Sequence, residues 1–148
     1  MIKLNYGQLF TQPQFLIKQF ILSCTFAVIA YNCAQAANVK ILAAEFHQNE
    51  IKNWVVKVTL QHDDKGWQHY ANIWRIVDKN GTILGDRVLY HPHVHEQPFT
   101  RSLSNVKIPT DTRIIFIEAH DLLHGWTTKR LKIDLDKVKK NYLRIEKN

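Results

Sequence analysis

Hydrophobic and polar residues alternate with a period of two through most of this chain. Trp54, Val56, Val58 and Leu60 interleave with Val55, Lys57, Thr59 and Gln61, the pattern of a strand with one face in a core. Residues 70–77 (YANIWRIV) are rich in aromatic and β-branched side chains, which suit a pleated, half-buried surface. Asp78-Lys79-Asn80-Gly81 predicts a hairpin turn, since Asn-Gly tolerates positive φ. Residues 82–90 return as the next strand, with Gly85 marking a bulge or close approach. Further strands are predicted at 39–46, 100–108, 113–119 and 131–135. Seven short strands with turn signals every eight to twelve residues predict an all-β, immunoglobulin- or fibronectin-like sandwich. Past residue 136, Val138, Tyr142 and Ile145 fall at i, i+4 and i+7, the spacing of a short amphipathic helix.

The beginning of the chain reads differently. Phe20 to Tyr31 is a largely apolar run, preceded by Lys18 and followed by Ala34-Gln35-Ala36. A basic flank, a short apolar stretch and a small-x-small ending predict a secretory signal peptide over 1–36. The run falls short of the roughly 20 residues a membrane-spanning helix needs, so no stable membrane insertion of the mature chain is expected. Both cysteines, Cys24 and Cys33, lie in this segment, and Ala30-Tyr31-Asn32 before Cys33 lacks the small residues that lipidation signals prefer. Residues 37–148 therefore contain no thiol, which excludes disulfides, thiolate metal sites and cysteine nucleophiles there. The expected organisation is a signal peptide (1–36), one β-sandwich domain (37–135) and a basic tail (136–148), in a periplasmic or secreted protein.

Charge narrows the function further. The net charge is +7, but residues 129–148 hold eight Lys or Arg against three acids, and residues 37–128 are neutral overall. A nucleic-acid interface needs basic residues on a folded face among aromatics; a charged end segment is not one, and no nucleic-acid partner is expected.

Histidine carries the chemical signal. In the predicted sandwich the connections at about 61–69, 90–98 and 120–127 emerge at one pole, and they hold seven of the eight histidines. Neutral imidazole offers a lone pair to copper or zinc near pH 7. His91 and His93 are adjacent on one face of an extended segment, and His69 and His124 complete a four-ligand set. His95 and Asp121 are further candidate ligands. His62 precedes the polar run Asp63-Asp64-Lys65-Gly66 and is predicted to face solvent. Trp67 and Trp126 lie in two of the same connections as a lid or a partner surface, and Arg101 is a candidate anion or acid partner. Ser102 and Ser104 have no strained-turn setting for a nucleophile, and no general base stands out, so an enzyme is not the favoured reading.

Gly66-Trp67 with His69-Tyr70, the run from His91-Pro92-His93-Val94 through Glu96-Gln97-Pro98-Phe99-Thr100-Arg101-Ser102-Leu103, and His124-Gly125 resemble a group of small exported bacterial β-domain proteins of unknown function. The likeness spans about residues 55–135. It implies an exported β-domain carrying His69, His91, His93 and His124, and no activity. The sequence thus predicts an exported protein binding a copper or zinc ion through a three-connection histidine cluster. The alternative is a binding module that uses the same connections for a glycan or a periplasmic protein.

Overall fold

The structure is a computed structural model that describes residues 39–147; the signal-peptide segment lies outside the described residues. Nine strands follow in order: β1 (Lys40–Gln48), β2 (Trp54–Gln61), β3 (Ala71–Asp78), β4 (Ile83–Val88), β5 (Phe99–Val106), β6 (Ile114–Asp121), β7 (Gly125–Trp126), β8 (Leu131–Asp134) and β9 (Tyr142–Glu146). A single 3-10 turn at Leu135–Lys137 separates the last two.

The strands form two antiparallel sheets. One has the order β5-β2-β1-β9; the other runs β4-β3-β6, with β7 and β8 both pairing along the free edge of β6. These two short strands act as one interrupted strand. Thr127 covers part of the gap, its N–H donating to the Ala119 carbonyl (2.8 Å) while its hydroxyl accepts from the Ala119 N–H (3.3 Å).

The period-two pattern sets the core. Trp54, Val56, Val58 and Leu60 of β2 face inward against Ile76 and Trp74 of β3 and Ile115 and Ile117 of β6 within one buried cluster. The Asp78–Gly81 turn forms as its sequence predicts. Gly81 has φ +87°, and the Asp78 carboxylate accepts the Asn80 and Thr82 N–H groups at 2.8 Å each. At Gly85 a Cβ would meet Leu103 Cδ2 at 3.0 Å, so the missing side chain lets β4 lie close over β5.

The C-terminal segment departs from its predicted helix. Residues 142–146 form β9, antiparallel to β1, with Leu143 buried opposite Phe46. Leu143 and Ile145 repeat every two residues, and the open edge of β1 offers backbone partners that a short isolated helix would lack.

Pairing registers also fix the poles. Lys40 of β1 pairs with Gln61, Leu60 with Phe99, and Ala71 with Asp121. The start of β1 therefore lies at the same pole as the connections 62–70, 89–98 and 122–124.

Candidate metal centre

Two buried carboxylates organise that pole. Asp64, 3% exposed, takes the Ala71 N–H (3.1 Å) and His62 Nδ1 (2.6 Å) on Oδ1, and the His93 N–H (2.6 Å) on Oδ2. One side chain thus ties the first connection to the start of β3 and to the second connection. Gln97 adds a parallel clamp: its Oε1 accepts the His62 N–H (3.0 Å) and its Nε2 donates to the His93 carbonyl (3.1 Å).

Asp121, the fully buried last residue of β6, shapes the third connection. Its Oδ1 accepts the N–H groups of Leu123 (2.9 Å) and His124 (2.7 Å) and lies 3.0 Å from His124 Nδ1. Gly125, at φ +82°, completes the turn. His69 is held in a separate tight turn, where its N–H donates to the Gly66 carbonyl (3.1 Å) and its own carbonyl accepts from Lys65 (2.8 Å).

These constraints converge on three side chains. His62, His69 and Asp121 each offer a ligand atom, all within 4.8 Å of one another. The His69 ring stands edge-on to His62 at 4.8 Å and to His124 at 4.9 Å between centroids. His62 Nε2, His69 Nε2 and Asp121 Oδ2 are buried with no hydrogen-bond partner among the described residues. His62 Nε2 is 3.9 Å from Asp121 Oδ2, and His69 Nε2 is 3.6 Å from Asp121 Oδ1. Ligands at about 2.0–2.2 Å from a tetrahedral ion sit roughly 3.3–3.6 Å apart, so small side-chain movements bring these atoms onto one ion.

Protonation favours that use. Asp64 accepts a backbone N–H on each of its oxygens, from Ala71 and from His93, so the 2.6 Å contact makes His62 Nδ1 the donor and leaves a lone pair on Nε2, inside the cluster. A carboxylate behind a histidine, fixing its tautomer, is how protein metal ligands are commonly oriented.

His69 and Asp121 of the sequence-predicted set thus lie in the group, and His124 borders it through Asp121. His93 forms a neighbouring layer: buried, stacked on Phe99 (3.9 Å, 9°), with Nδ1 3.9 Å from Asp64 Oδ2 and both ring nitrogens without a partner among the described residues. His91 is exposed, its ring 4.6 Å from that of His93. His95 is exposed and outside the group. His62, predicted to face solvent, is instead 4% exposed and belongs to the group. The inward alternation of β2 continues past Leu60 to His62 and Asp64, with Gln61 and Asp63 facing out. That extension was the signal in the sequence.

The remaining candidates are placed elsewhere. Trp126 sits between His120 (5.0 Å) and the Arg75 guanidinium (3.7 Å), away from the cluster. Trp67 stays 65% exposed, edge-on to Tyr70. Arg101 forms a two-bond pair with Glu96 (2.8 and 3.1 Å) rather than presenting a free cation.

Burial pushes the His93 imidazole below its ordinary value, with the nearby Arg101 and His91 charges adding to the effect. Unfolded, a histidine titrates near about 6.5, so on acidification the unfolded chain takes up this proton first. In the metal-free protein the contribution of His93 to stability is accordingly complete above about pH 6.5 and declines as pH falls below that value. Melting temperatures across this range check the expectation. In His93→Gln the decline becomes shallower, and an unchanged slope would assign it to another group.

Comparison with known proteins adds one relative. A Halomicrobium mukohataei protein named "Putative lipoprotein" is 37% identical over 79 residues, covering 53% of this chain and 38% of that protein. The chain thus spans well under half of its relative's length. No family description matches the chain, and no solved structure matches it.

Proposed function

We propose that this chain is an exported protein that binds one transition-metal ion through His62, His69 and Asp121, with His124 or a water completing the shell. The observation that carries the reading is the set of three buried, unpartnered ligand atoms within 4.8 Å. Leaving such groups unsatisfied costs about 1–3 kcal/mol each, and a bound cation satisfies all three at once. Two imidazoles and a carboxylate form a donor set of borderline hardness. Zinc suits it better than the copper that a histidine-only set would favour.

Export is supported by the basic, apolar and small-residue pattern before Ala37 and by the relative named as a lipoprotein. The strand orders β5-β2-β1 and β4-β3-β6 with an interrupted outer strand support a fibronectin-like reading of the fold, to which β9 is added.

The test uses the full chain, purified without a histidine tag and desalted after zinc loading. Elemental analysis should find about one equivalent in the wild type and none in His69→Ala, the gentlest ligand deletion because the His69 side chain is 17% exposed while those of His62 and Asp121 are fully buried. Free zinc at about a hundred times Kd should stabilise the protein by about 2.7 kcal/mol, reversed by chelator. A wild-type protein that retains no metal, or a His69→Ala variant that retains as much, overturns the assignment.

A further inference from the structure

The group formed by His62, His69 and Asp121 leaves His93 without a role. The His93 side chain is 1% exposed and lies flat on Phe99 at 3.9 Å and 9°, and neither ring nitrogen has a hydrogen-bond partner among the described residues. Packing on Phe99 asks only for a flat ring, which phenylalanine would supply without burying two polar atoms. A buried polar group of this kind calls for a partner from outside the chain. The adjacent side chain is a second imidazole. The His91 ring lies 4.6 Å from that of His93 between centroids, closer than His62 and His69 in the first group (4.8 Å). From this juxtaposition we propose a second metal site, in which His91 and His93 hold a Cu(II) ion at the solvent boundary of the same pole.

A water would serve one buried nitrogen; the second imidazole is what selects an ion. His91 Nδ1 lies 3.2 Å from the Pro92 carbonyl oxygen, which can only accept, so Nδ1 is the donor and Nε2 is free to ligate. Pro92 fixes the backbone φ between the two rings. His93 is anchored at both ends, its N–H to Asp64 Oδ2 (2.6 Å) and its carbonyl to Gln97 Nε2 (3.1 Å). His91 is exposed, so it is the ring that adjusts to the ion. Negative charge is also at hand. Asp64 Oδ2 is 3.9 Å from His93 Nδ1, the spacing that His62 Nε2 and Asp121 Oδ2 show in the first group. The Arg101 guanidinium, 5.4 Å from the Phe99 ring centroid, is paired with Glu96 at 2.8 Å.

Copper follows from the ligand count. Two imidazoles leave the remaining positions to water, and Cu(II) binds nitrogen ligands more tightly than the other common divalent ions and accepts a tetragonal shell. Zinc, which stands below copper in that order, is lost from so open a site on desalting. The single equivalent expected for His62, His69 and Asp121 is therefore unaffected. Asp64 stands between the two sites, with Oδ1 on His62 and Oδ2 beside His93, but the second site needs none of the three ligands of the first.

Cu(II) added to the full chain carrying His69→Ala, purified without a histidine tag, tests this with the first group disabled. At about pH 8, above the usual imidazole pKa of about 6.5, electron paramagnetic resonance should show about one bound Cu(II) split by two imidazole nitrogens. Adding His91→Ala should remove one of those nitrogens. Competition with a copper-binding dye should then show affinity lower by at least the ten- to hundred-fold, roughly, that follows loss of a ligand's orienting partner. His93→Phe, which keeps a ring on Phe99, should do the same. His91 is exposed, so its variant folds whatever becomes of His93→Phe. Copper bound unchanged in both variants overturns the site, and so does an equal loss in His95→Ala, which would spread the copper over the whole connection. The two sites fail separately. Zinc retained by the wild type with no copper on His69→Ala removes only the second, and the reverse removes only the first.

Discussion

Asp64→Asn lowers zinc affinity about ten- to hundred-fold without altering any of the three proposed ligands. The carboxylate accepts from three donors: His62 Nδ1, the Ala71 N–H and the His93 N–H. An amide has only one accepting oxygen atom to serve both ends. If its NH2 faces His62, that ring must accept on Nδ1 and carry its proton on Nε2, which removes the lone pair from the cluster. If the NH2 turns toward His93, two donors oppose each other and a buried N–H is stranded at about 1–3 kcal/mol. Competition against a zinc-binding dye measures the first effect and chemical denaturation the second. Zinc bound as tightly by Asp64→Asn as by the wild type, with no loss of stability, would remove His62 from the ligand set.

Trp74→Ala destabilises the domain by about 3–5 kcal/mol. Trp74 is the largest fully buried side chain, placed at the centre of β3 between Arg87 of β4 and Ala119 of β6. Its removal leaves a void between two sheets whose backbone ladders keep them from collapsing inward. A domain of this size is commonly stable by only about 5–15 kcal/mol, so the change takes a large share. Thermal unfolding should move down by more than about 10 °C. Trp67→Ala, at an exposed tip, should stay within about 0.5 kcal/mol of wild type. A comparable loss in both would mean that the first connection is packed far more tightly than its exposure indicates.

Burial periodicity made most of the fold legible in the sequence. Every predicted strand from 39 to 135 has a counterpart, because Trp54 to Leu60 and Arg113 to Ala119 alternate or fill as a two-sided core demands. The final strand was obscured because Val138, Tyr142 and Ile145 also satisfy a helical spacing. Only the free edge of β1, a long-range partner, decides between the two. The meeting of the connections was legible for the same topological reason.

Membership of the group was legible only in part: His69 and Asp121 stood among the sequence candidates, and His62 did not. Asp63-Asp64-Lys65-Gly66 has the composition of a solvated turn whether or not one carboxylate turns inward. Composition therefore concealed both His62 and its acceptor. Conversely, the tight His91-Pro92-His93 spacing looked like a ready pair, yet His91 stays in solvent while His93 is fixed against Phe99. Proximity in sequence puts two rings together, but only the Asp64 and Gln97 hydrogen bonds decide which of them faces inward.

The pairing of β9 with β1 has a consequence for how the chain matures. Ala43 meets Glu146 across this ladder, so the outer edge of β1 stays bare until nearly the whole domain has left the ribosome. Closing so long a loop is slow, and an unpaired edge is a template for other strands. The first sheet can therefore be completed only after synthesis of residue 146. On the export reading proposed above, a polypeptide threaded across a membrane before it folds gains time from that delay, and shortening it from the C-terminal side should convert β1 into a site of aggregation.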